Sequence, residues 1–367
     1  MKKILLTSLT AAALAISAQA ASLEITITGA TAMRADLFAG IDALYGAGLT
    51  ARNSDQASEA NYKSAQKCTW SGTMAILPGY NPVIVRCSMS GSVGGVQDLA
   101  ALNAVTCLLN ASPDTDVTTT TKLPDFALSD VFQDSTGVAG DLEDTFCGVI
   151  PLAYVRGLNT SASITNITTQ LCQSFLAVGS LSGYYFTGNP ADTFSVKLIG
   201  RNNESGSRAT AHADSFFGVF ATSKVYTNSP LPTSVPFALV GNNAGTHGYS
   251  SGGDIAKVLA ANDTSANKNV VGYVGLKDAR TADATGTRWL TYSGVPYSQA
   301  AVRNGTYTFW GYEHIFNLVG LDADKVTFRD ELALAIDGAI VDAIATHTAI
   351  KISTMLVTRA GDGGNIQ

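Results

Sequence analysis

One local pattern recurs along the chain: an apolar run typical of a β-strand, a turn of small polar residues, and a segment with helical periodicity. It is fullest where the apolar run 196–199 leads through a polar turn into a predicted helix over residues 209–222. Ser205 or Ser207 is suited to cap that helix, and Arg201 precedes both. Backbone N–H groups at a helix start, with an arginine nearby, can bind a small oxyanion. An ordinary strand-to-helix connection uses the same residue types, so this stretch alone leaves both interpretations open.

Three other predicted strands are also followed by a turn of small polar residues. These turns contain Thr31, Ser92 and Asp130, respectively. Strands that alternate with helices predict an α/β fold with a parallel or mixed sheet. In open sheets of this kind, ligands bind outside the carboxyl ends of the strands. We therefore expect these three turns and the turn 201–207 to meet at one anion site.

The composition excludes several classes of function. Hydrophobic residues make up 46% of the 367 residues and charged residues 14%, which is typical of a packed globular protein large enough for two domains. The net charge is −6 and the chain contains no basic run, so we expect neither nucleic acid nor an anionic membrane as a partner. If the protein binds an anion, positively charged or hydrogen-bond-donating groups near the site must attract it despite the negative net charge of the chain.

The N-terminus has the three parts of a cleavable secretory signal. Lys2 and Lys3 form a basic start, residues 4–16 are mainly apolar, and residues 18–20 fit a small-x-small cleavage site. We predict a signal peptide over residues 1–20 and, because no cysteine follows the cleavage site, no lipid anchor. No other apolar run is long enough to cross a bilayer, so we expect no membrane insertion. The expected location is the periplasm or the exterior of the cell.

Five cysteines remain in the mature chain: Cys68, Cys87, Cys107, Cys147 and Cys172. In an exported protein they favour disulfides, and an odd number leaves one thiol over. Cys68 with Cys87 is one candidate pair, and Cys107 with Cys147 or Cys172 is another; the sequence leaves the pairing open. No spacing of cysteines or of the four histidines matches a zinc site, so we predict no metal and no other cofactor.

Helices are also predicted over residues 34–45, with Thr31 as its cap, and over 97–109 and 330–346. The aromatic stretch 305–316 is predicted to begin extended and to continue as a helix whose rings pack in the core.

Several segments, in order, resemble the phosphate-binding proteins of bacterial ABC uptake systems, within the type II periplasmic-binding-protein superfamily. The segment 28–32 is similar to the family's opening strand-to-helix turn, and 91–96 (Gly-Ser-Val-Gly-Gly-Val) to its Gly-Ser-Ser-Gly-Gly-Val turn. The segment 125–130 (Asp-Phe-Ala-Leu-Ser-Asp) resembles its Asp-Phe-Gly-Ala-Ser-Asp motif, and 201–207 resembles its Arg-x-Asp-x-Ser-Gly-Thr motif. The Gly-x-Tyr-x-x-Trp-x-Tyr-Glu stretch 305–313 fits the family's C-terminal half.

The resemblance implies a two-lobed α/β fold with a ligand cleft between the lobes. It implies that lobe I comprises residues 21–153 and 277–367, that lobe II comprises 154–276, and that the lobes close around the ligand. The implied function is capture of inorganic phosphate or a similar protonated oxyanion for an ABC permease, without catalysis. The implied ligand-binding residues are Thr31, the backbone N–H of Ala32, Ser92, Asp130, Arg201, Ser205, Gly206 and Ser207.

Within such a site Asp130 would select between anions. An ionised carboxylate only accepts hydrogen bonds, so it can pair with the P–OH of hydrogen phosphate and repels sulfate, which has no proton. The chain departs from the family's pattern near this site. Met33 and Arg34 follow the first turn, which lacks the usual aromatic residue; Asn203 replaces an Asp that commonly supports the arginine; and Glu204 adds a negative charge.

Two alternatives to phosphate capture stay open. Residues 248–252 (Gly-Tyr-Ser-Ser-Gly) match the nucleophile elbow of serine hydrolases, and Asp278 and His314 follow Ser250 in a suitable order, although a loop and not a strand precedes the motif. The second alternative is a secreted or cell-surface protein that keeps the two lobes but does not bind phosphate, which the changes at Asn203 and Glu204 motivate.

Overall fold

The computed structural model describes residues 20–113, 115–228, 239–244, 248–340 and 348–367. The predicted signal peptide falls, apart from its last residue, on residues 1–19, which lie outside the described part. Within the described ranges, no helix combines the length and the apolar character needed to cross a bilayer.

Strands and helices alternate through most of the chain. The strands are β1 (Ala21–Gly29), β2 (Leu49–Ser54), β3 (Lys67–Gly72), β4 (Tyr80–Ser88), β5 (Val105–Leu108), β6 (Thr119–Lys122), β7 (Phe126–Ser129), β8 (Leu142–Arg156), β9 (Asn166–Ile167), β10 (Ser180–Ser182), β11 (Ser195–Ile199), β12 (Lys224–Asn228), β13 (Leu239–Ala244), β14 (Val270–Gly275), β15 (Thr291–Tyr292) and β16 (Trp310–Leu318). The helices are α1 (Arg34–Tyr45), α2 (Ser92–Ala101), α3 (Thr169–Val178), α4 (Tyr184–Thr187), α5 (Gly206–Asp214), α6 (Gly252–Ala260), α7 (Leu276–Ala282), α8 (Gln299–Arg303) and α9 (Ala323–Ala339).

One large sheet runs through the molecule in the order β13-β12-β11-β14-β8-β16-β7-β1-β4-β3-β2, and β10 pairs with β11. On one side β1 is parallel to both β4 and β7. On the other side β11 is parallel to β12 and β14. Because the carboxyl ends of parallel strands lie at the same edge, each side gathers the turns that follow its strands.

The long strands β8 and β16 join these two sides. They pair with each other in antiparallel fashion, β8 is antiparallel to β14, and β16 is antiparallel to β7. Every residue of β16 from Trp310 to Asn317 is buried, so this strand has no solvent face. The two parallel sides are therefore connected through the centre of the sheet.

Several apolar cores flank the sheet. One is built from β1, β3, β4, α1 and α9, with Phe38, Trp70 and Phe328 fully buried. Another packs α6 and α7 on β8, β11 and β14 through residues such as Ile255 and Val274. A third collects the aromatic side chains of the C-terminal part of the chain around β8. The separate cores fit an architecture with a core on each side of the central strands.

The helix predicted over 209–222 is wrong at both ends. Helix α5 begins at Gly206, earlier than predicted, and ends at Asp214. Phe216 has a φ of 55°, outside the helical range, and it and Phe220 are exposed. The helical spacing of these aromatic residues therefore does not reflect a core face. Ser205 caps the helix as predicted, because its side chain accepts a hydrogen bond from the N–H of Arg208.

Four further local predictions need correction. The helix predicted over 330–346 begins earlier, because α9 spans Ala323–Ala339; residues 341–347 lie outside the described part of the chain. The aromatic stretch forms strand β16, not a helix; a central strand that is buried throughout has no period-2 pattern that would reveal it. Helix α2 starts at Ser92 and ends at Ala101, and residues 105–108 of the predicted helix form strand β5. Helix α1 has the predicted bounds, but Met33 and not Thr31 occupies its cap position.

The expected disulfides do not form: all five cysteines are buried thiols in the structure. Cys68 lies opposite Cys87 in the β3–β4 pair, where both side chains pack in the apolar core. Buried thiols behave as small apolar groups, and burial raises the pKa of the Cys87 thiol and, to about 11, that of Cys107. Burial thus holds these side chains in the unreactive thiol form.

Candidate functional site

The turns after β1, β4 and β7 meet at one edge of the sheet. The N–H of Gly91, just before α2, donates a hydrogen bond of 2.9 Å to the carbonyl of Gly29, at the end of β1. The backbones approach so closely that a Cβ on Gly95 would lie 2.3 Å from the Cα of Gly29. The start of α2 is therefore fixed against the end of β1.

The turn after β11 completes this group. The carbonyl of Glu204 accepts hydrogen bonds from the N–H groups of Val93 and Gly94, at 3.0 and 3.4 Å. The first turn of α2 and the residues that precede α5 are thus in direct contact. The N-termini of two helices, each with a partial positive charge, converge on the same space.

Asp130, which follows β7, lies between the two helix starts. Its side chain is 2% exposed. Ser92 donates a short hydrogen bond from Oγ to Oδ1 of Asp130, and Ser207 Oγ lies 3.4 Å from Oδ2. A Cβ on Gly206 would be 1.5 Å from Oδ1, so only a glycine at that position leaves room for this carboxylate. Three of the predicted site residues are therefore in immediate contact with Asp130.

Arg201 lies at the end of β11 and is 3% exposed. Its Nε donates to the carbonyl of Tyr249 at 3.1 Å, and its Nη2 donates to the carbonyl of Ser250 at 2.9 Å. Its backbone N–H donates to the hydroxyl of Tyr273 at 3.4 Å. These contacts hold the guanidinium in a fixed orientation. The role of Tyr249, Ser250 and Tyr273 in this support is not visible in the sequence, because it depends on strands and loops far apart in the chain.

The electrostatics couple Asp130 to Arg201. Burial raises the pKa of Asp130, and the hydrogen bond from Ser92 and the charge of Arg201 oppose that rise. Burial lowers the pKa of Arg201, and the charges of Asp130 and Asp278 oppose that fall. Each group thus favours the charged form of the other, in a setting where a charge without a partner is costly.

Two further charged residues act on the same site. Arg34, at the start of α1, is 9% exposed and donates from Nη1 to the carbonyl of Ala65 at 3.3 Å. Burial raises the pKa of Asp278, on α7, and the charges of Arg34, Lys277 and Arg201 oppose that rise. The sequence indicated Arg34 only as a departure from the family's pattern and gave no signal that Asp278 is a charge partner of Arg201.

The other predicted residues lie around this group. Ser205 caps α5. Thr31 is 8% exposed and follows Gly29 by two residues, and a Cβ built on Gly275 would lie 3.7 Å from that of Ala32. Asn203 and Glu204 are both exposed, so Asn203 does not support the buried arginine as an Asp at that position would. The structure therefore brings together the turns that carry Thr31, Ser92, Asp130, and Arg201 to Ser207.

The residues proposed for a serine hydrolase are not arranged as a triad. His314 lies on β16, where its Nδ1 is 3.0 Å from both carboxylate oxygens of Asp144. Asp278 instead lies against Gly252, whose added Cβ would be 2.2 Å from Oδ2 of the carboxylate. Ser250 is exposed and its carbonyl is bound to Arg201. Part of the loop before the elbow motif, residues 245–247, lies outside the described residues.

Within the described ranges, the structure contains no cluster of three or more His, Cys, Asp or Glu side chains suited to a metal ion. The groups that converge at the site are hydroxyls, helix N-termini and guanidinium groups, with the carboxylate of Asp130 among them and that of Asp278 as a further charge partner of Arg201. Donors of this kind suit an oxyanion rather than a metal cation.

These features define an α/β protein with a buried polar site where the turns after its parallel strands meet. No protein-family model and no curated protein matches the chain. Solved structures do match. One is from Clostridium perfringens and is described as a phosphate ABC transporter substrate-binding protein with bound phosphate; it has a TM-score of 0.53 and 12% sequence identity, over 90% of this chain and 99% of that chain. An ABC-type phosphate transport receptor from Vibrio cholerae has a TM-score of 0.48 and 12% identity, over 84% of this chain and 93% of that chain.

The likeness to the Clostridium perfringens structure is a likeness of fold. The chain has the two-lobed α/β fold of the periplasmic-binding-protein class, as its sequence predicts. The resemblance to the phosphate-binding proteins is thereby confirmed for the fold.

Proposed function

We propose that this protein is a solute-binding protein that captures inorganic phosphate, or a similar protonated oxyanion, between its lobes. The observation that carries the proposal is the convergence of Ser92, Ser207 and Arg201 on Asp130 at the starts of two helices. The Clostridium perfringens structure, which contains bound phosphate, supports the same ligand. We propose Thr31, Ala32, Ser92, Asp130, Arg201, Ser205, Gly206 and Ser207 as the ligand-binding residues.

The chemistry of the site favours a protonated oxyanion. Hydroxyls and helix N–H groups donate to the oxygens of the ligand without adding full charges, and Arg201 supplies one positive charge. Ionised Asp130 accepts a hydrogen bond from P–OH, which hydrogen phosphate has and sulfate lacks. Micromolar binding requires about 8 kcal/mol, which several charge-assisted hydrogen bonds of about 1.5–3 kcal/mol each supply after desolvation.

The same proposal includes the export of the protein, its division into two lobes and the delivery of its ligand. We propose that residues 1–20 direct export, that residues 21–153 with 277–367 form lobe I, and that residues 154–276 form lobe II. A hinge between the lobes closes them around the anion. The closed form delivers its ligand to an ABC permease, in line with the transport function named for the Clostridium perfringens protein.

The test is calorimetric titration of the purified protein with phosphate, arsenate and sulfate at pH 7.5. We expect phosphate and arsenate to bind with a dissociation constant in the micromolar range or below, and sulfate to bind far more weakly. Arg201→Gln leaves Asp130 buried beside the ligand without its cation, so we expect phosphate affinity to fall by about 100-fold or more. Arg156→Gln is the matched control, because Arg156 also donates to backbone carbonyls and lies outside the proposed site.

A different result would favour the alternative of a two-lobed protein that does not bind phosphate. That result is the absence of heat with phosphate, or phosphate binding that survives Arg201→Gln unchanged.

A further inference from the structure

A second cavity lies in the C-terminal part of the chain, between α7, α8 and the loops on either side of β15. Its volume is about 680 Å³. The residues that matter for its chemistry are Arg280, Trp289, Tyr297, Gln299 and Arg303. Pockets for small organic ligands have volumes of roughly 300–1,000 Å³ and combine aromatic walls with a few polar groups. This cavity has both properties.

The aromatic wall of the cavity is fixed by packing. The rings of Trp289 and Tyr297 have centroids 5.6 Å apart, and Tyr297 in turn packs against Tyr307, which is fully buried. The indole Nε1 of Trp289 donates to the carbonyl of Ala279 at 3.3 Å. Both residues are half-buried and line the cavity. A preformed wall of this kind stacks on a flat ring at little entropic cost.

Two arginines, Arg280 and Arg303, lie next to these aromatic rings. The guanidinium carbon of Arg280 is 6.0 Å from the centroid of the Trp289 ring. Arg303, at the end of α8, is held by a hydrogen bond of 3.0 Å from its Nε to the hydroxyl of Thr354. Both arginines line the cavity together with Tyr297, and the positive charge of each opposes the rise that burial causes in the pKa of the Tyr297 hydroxyl.

A buried donor completes the cavity. The amide nitrogen of Gln299 is buried and has no hydrogen-bond partner among the described residues. A buried N–H group without a partner destabilises the protein, and a ligand oxygen at this position would remove that cost.

The cavity is distinct from the proposed anion site. Arg280 and Asp278 belong to the same helix, α7, but residues two apart on a helix do not share a face. Asp278 faces Arg34 and Arg201, whereas Arg280 faces Tyr297 and Trp289. One helix therefore contributes to both places from different sides.

We propose that this cavity binds a flat organic anion: an aromatic ring that stacks on Trp289 and carries a carboxylate that pairs with Arg280 and Arg303. The plane of the Tyr297 ring is tilted by 56° from that of Trp289, so Tyr297 contacts the edge of the bound ring. Gln299 donates its unused N–H to the same carboxylate. The ring provides the apolar contact and the carboxylate provides the charge, so neither a neutral ring compound nor inorganic phosphate satisfies the cavity. The proposal is independent of whether the protein captures phosphate at Asp130.

The probe is 2-naphthoate, compared with its neutral counterpart 2-naphthalenemethanol, by calorimetry and by tryptophan fluorescence on the full chain. The chain has three tryptophans, and Trp70 and Trp310 are fully buried, so a fluorescence change reports on Trp289. We expect saturable binding of 2-naphthoate below millimolar concentration and at least tenfold weaker binding of the alcohol. Absence of saturable binding, or equal binding of both compounds, would overturn the proposal.

Three variants locate the binding. Gln299→Glu keeps the side-chain volume but adds a negative charge, and Arg280→Gln removes a positive one; we expect each to weaken 2-naphthoate binding by at least tenfold. Trp289→Phe should abolish the fluorescence response while calorimetry still detects binding. Thermal unfolding of each variant verifies folding. Arg329→Gln serves as the control that leaves 2-naphthoate binding unchanged, because Arg329 lies on α9 and pairs with Glu143 and Asp330. If folded Gln299→Glu and Arg280→Gln bind 2-naphthoate as the unmodified protein does, the cavity is not its site.

Discussion

Two carboxyl groups are buried on neighbouring strands of the same sheet, and their surroundings differ. Asp130 directly follows β7, and Glu313 lies on β16, which pairs with β7. Asp130 is 2% exposed and contacts Ser92 and Ser207, with the charge of Arg201 nearby. Glu313 is 0% exposed, and neither of its carboxyl oxygens has a hydrogen-bond partner among the described residues.

Burial raises the pKa of both groups, but only Asp130 has donors and a cation that oppose the rise. For Glu313 the negative charges of Asp130 and Asp36 add to the effect of burial. Burial and these negative charges therefore favour the neutral acid at Glu313, whereas the hydroxyls and the guanidinium near Asp130 favour its ionised form. Burial of a carboxyl group does not by itself mark an anion site; the surrounding donors do.

Asp130→Asn should produce the largest effect. The amide has the same shape but can donate as well as accept, so it no longer repels an anion without a proton. We expect the ratio of phosphate to sulfate affinity to fall by about 100-fold or more, about 3 kcal/mol, with sulfate binding becoming measurable by calorimetry.

Glu313→Gln is the matched control for that experiment, because it makes the same change from carboxyl to amide on the neighbouring strand. A neutral Glu313 has no part in anion selection, so this variant should keep the affinity ratio of the unmodified protein. Equal losses in both variants would contradict the assignment of selectivity to Asp130.

The sequence was sufficient to predict Asp130 as a site residue, but not to predict the groups that surround it. The predicted strand over 196–199 and the predicted helix over 34–45 are confirmed as β11 and α1, because each combines a clear apolar pattern with an adjoining turn. The Ser-Asp pair that ends β7 is a local signal of the same kind. Local patterns of this kind are the features that a single sequence predicts best.

The remaining parts depend on contacts between distant segments. The aromatic run in β16 was predicted as a helix, since a strand buried on both faces lacks alternation. The charge of Asp278 near Arg201 and the carbonyls that orient Arg201 come from segments more than 40 residues away. The lack of hydrogen-bond donors around Glu313 could not be predicted either, because the sequence shows the charged residue but not its neighbours in the fold.

Glu313→Gln should also change how stability depends on pH. The folded protein binds the proton of Glu313 more tightly than the unfolded chain does, since the pKa is raised in the folded state. The stability contributed by protonated Glu313 is fully present below the ordinary pKa of glutamate and is lost as the pH rises through the raised value. Glutamine cannot ionise, so the variant should match the unmodified protein at pH 4 and exceed its free energy of unfolding by about 1–3 kcal/mol at pH 8.

Urea-induced unfolding at the two pH values measures this difference. Asp330→Asn is the control, because the Asp330 side chain is 55% exposed and pairs with Arg329 at the surface. A Glu313→Gln variant that gains no stability between pH 4 and pH 8 relative to the unmodified protein would show that Glu313 has a polar partner when folded.

Ser92→Ala should give the smallest effect and tests how much one donor matters to Asp130. The variant removes one hydroxyl at the start of α2, so we expect phosphate affinity to fall about fivefold, about 1 kcal/mol, by calorimetry. Ser90→Ala is the matched control, because the Ser90 hydroxyl is buried nearby without a hydrogen-bond partner among the described residues. If both variants bind phosphate equally well, Asp130 draws its stabilisation from Arg201 and the helix starts alone. The contrast with Glu313 would then depend on one guanidinium and two helix N-termini rather than on the serine hydroxyl.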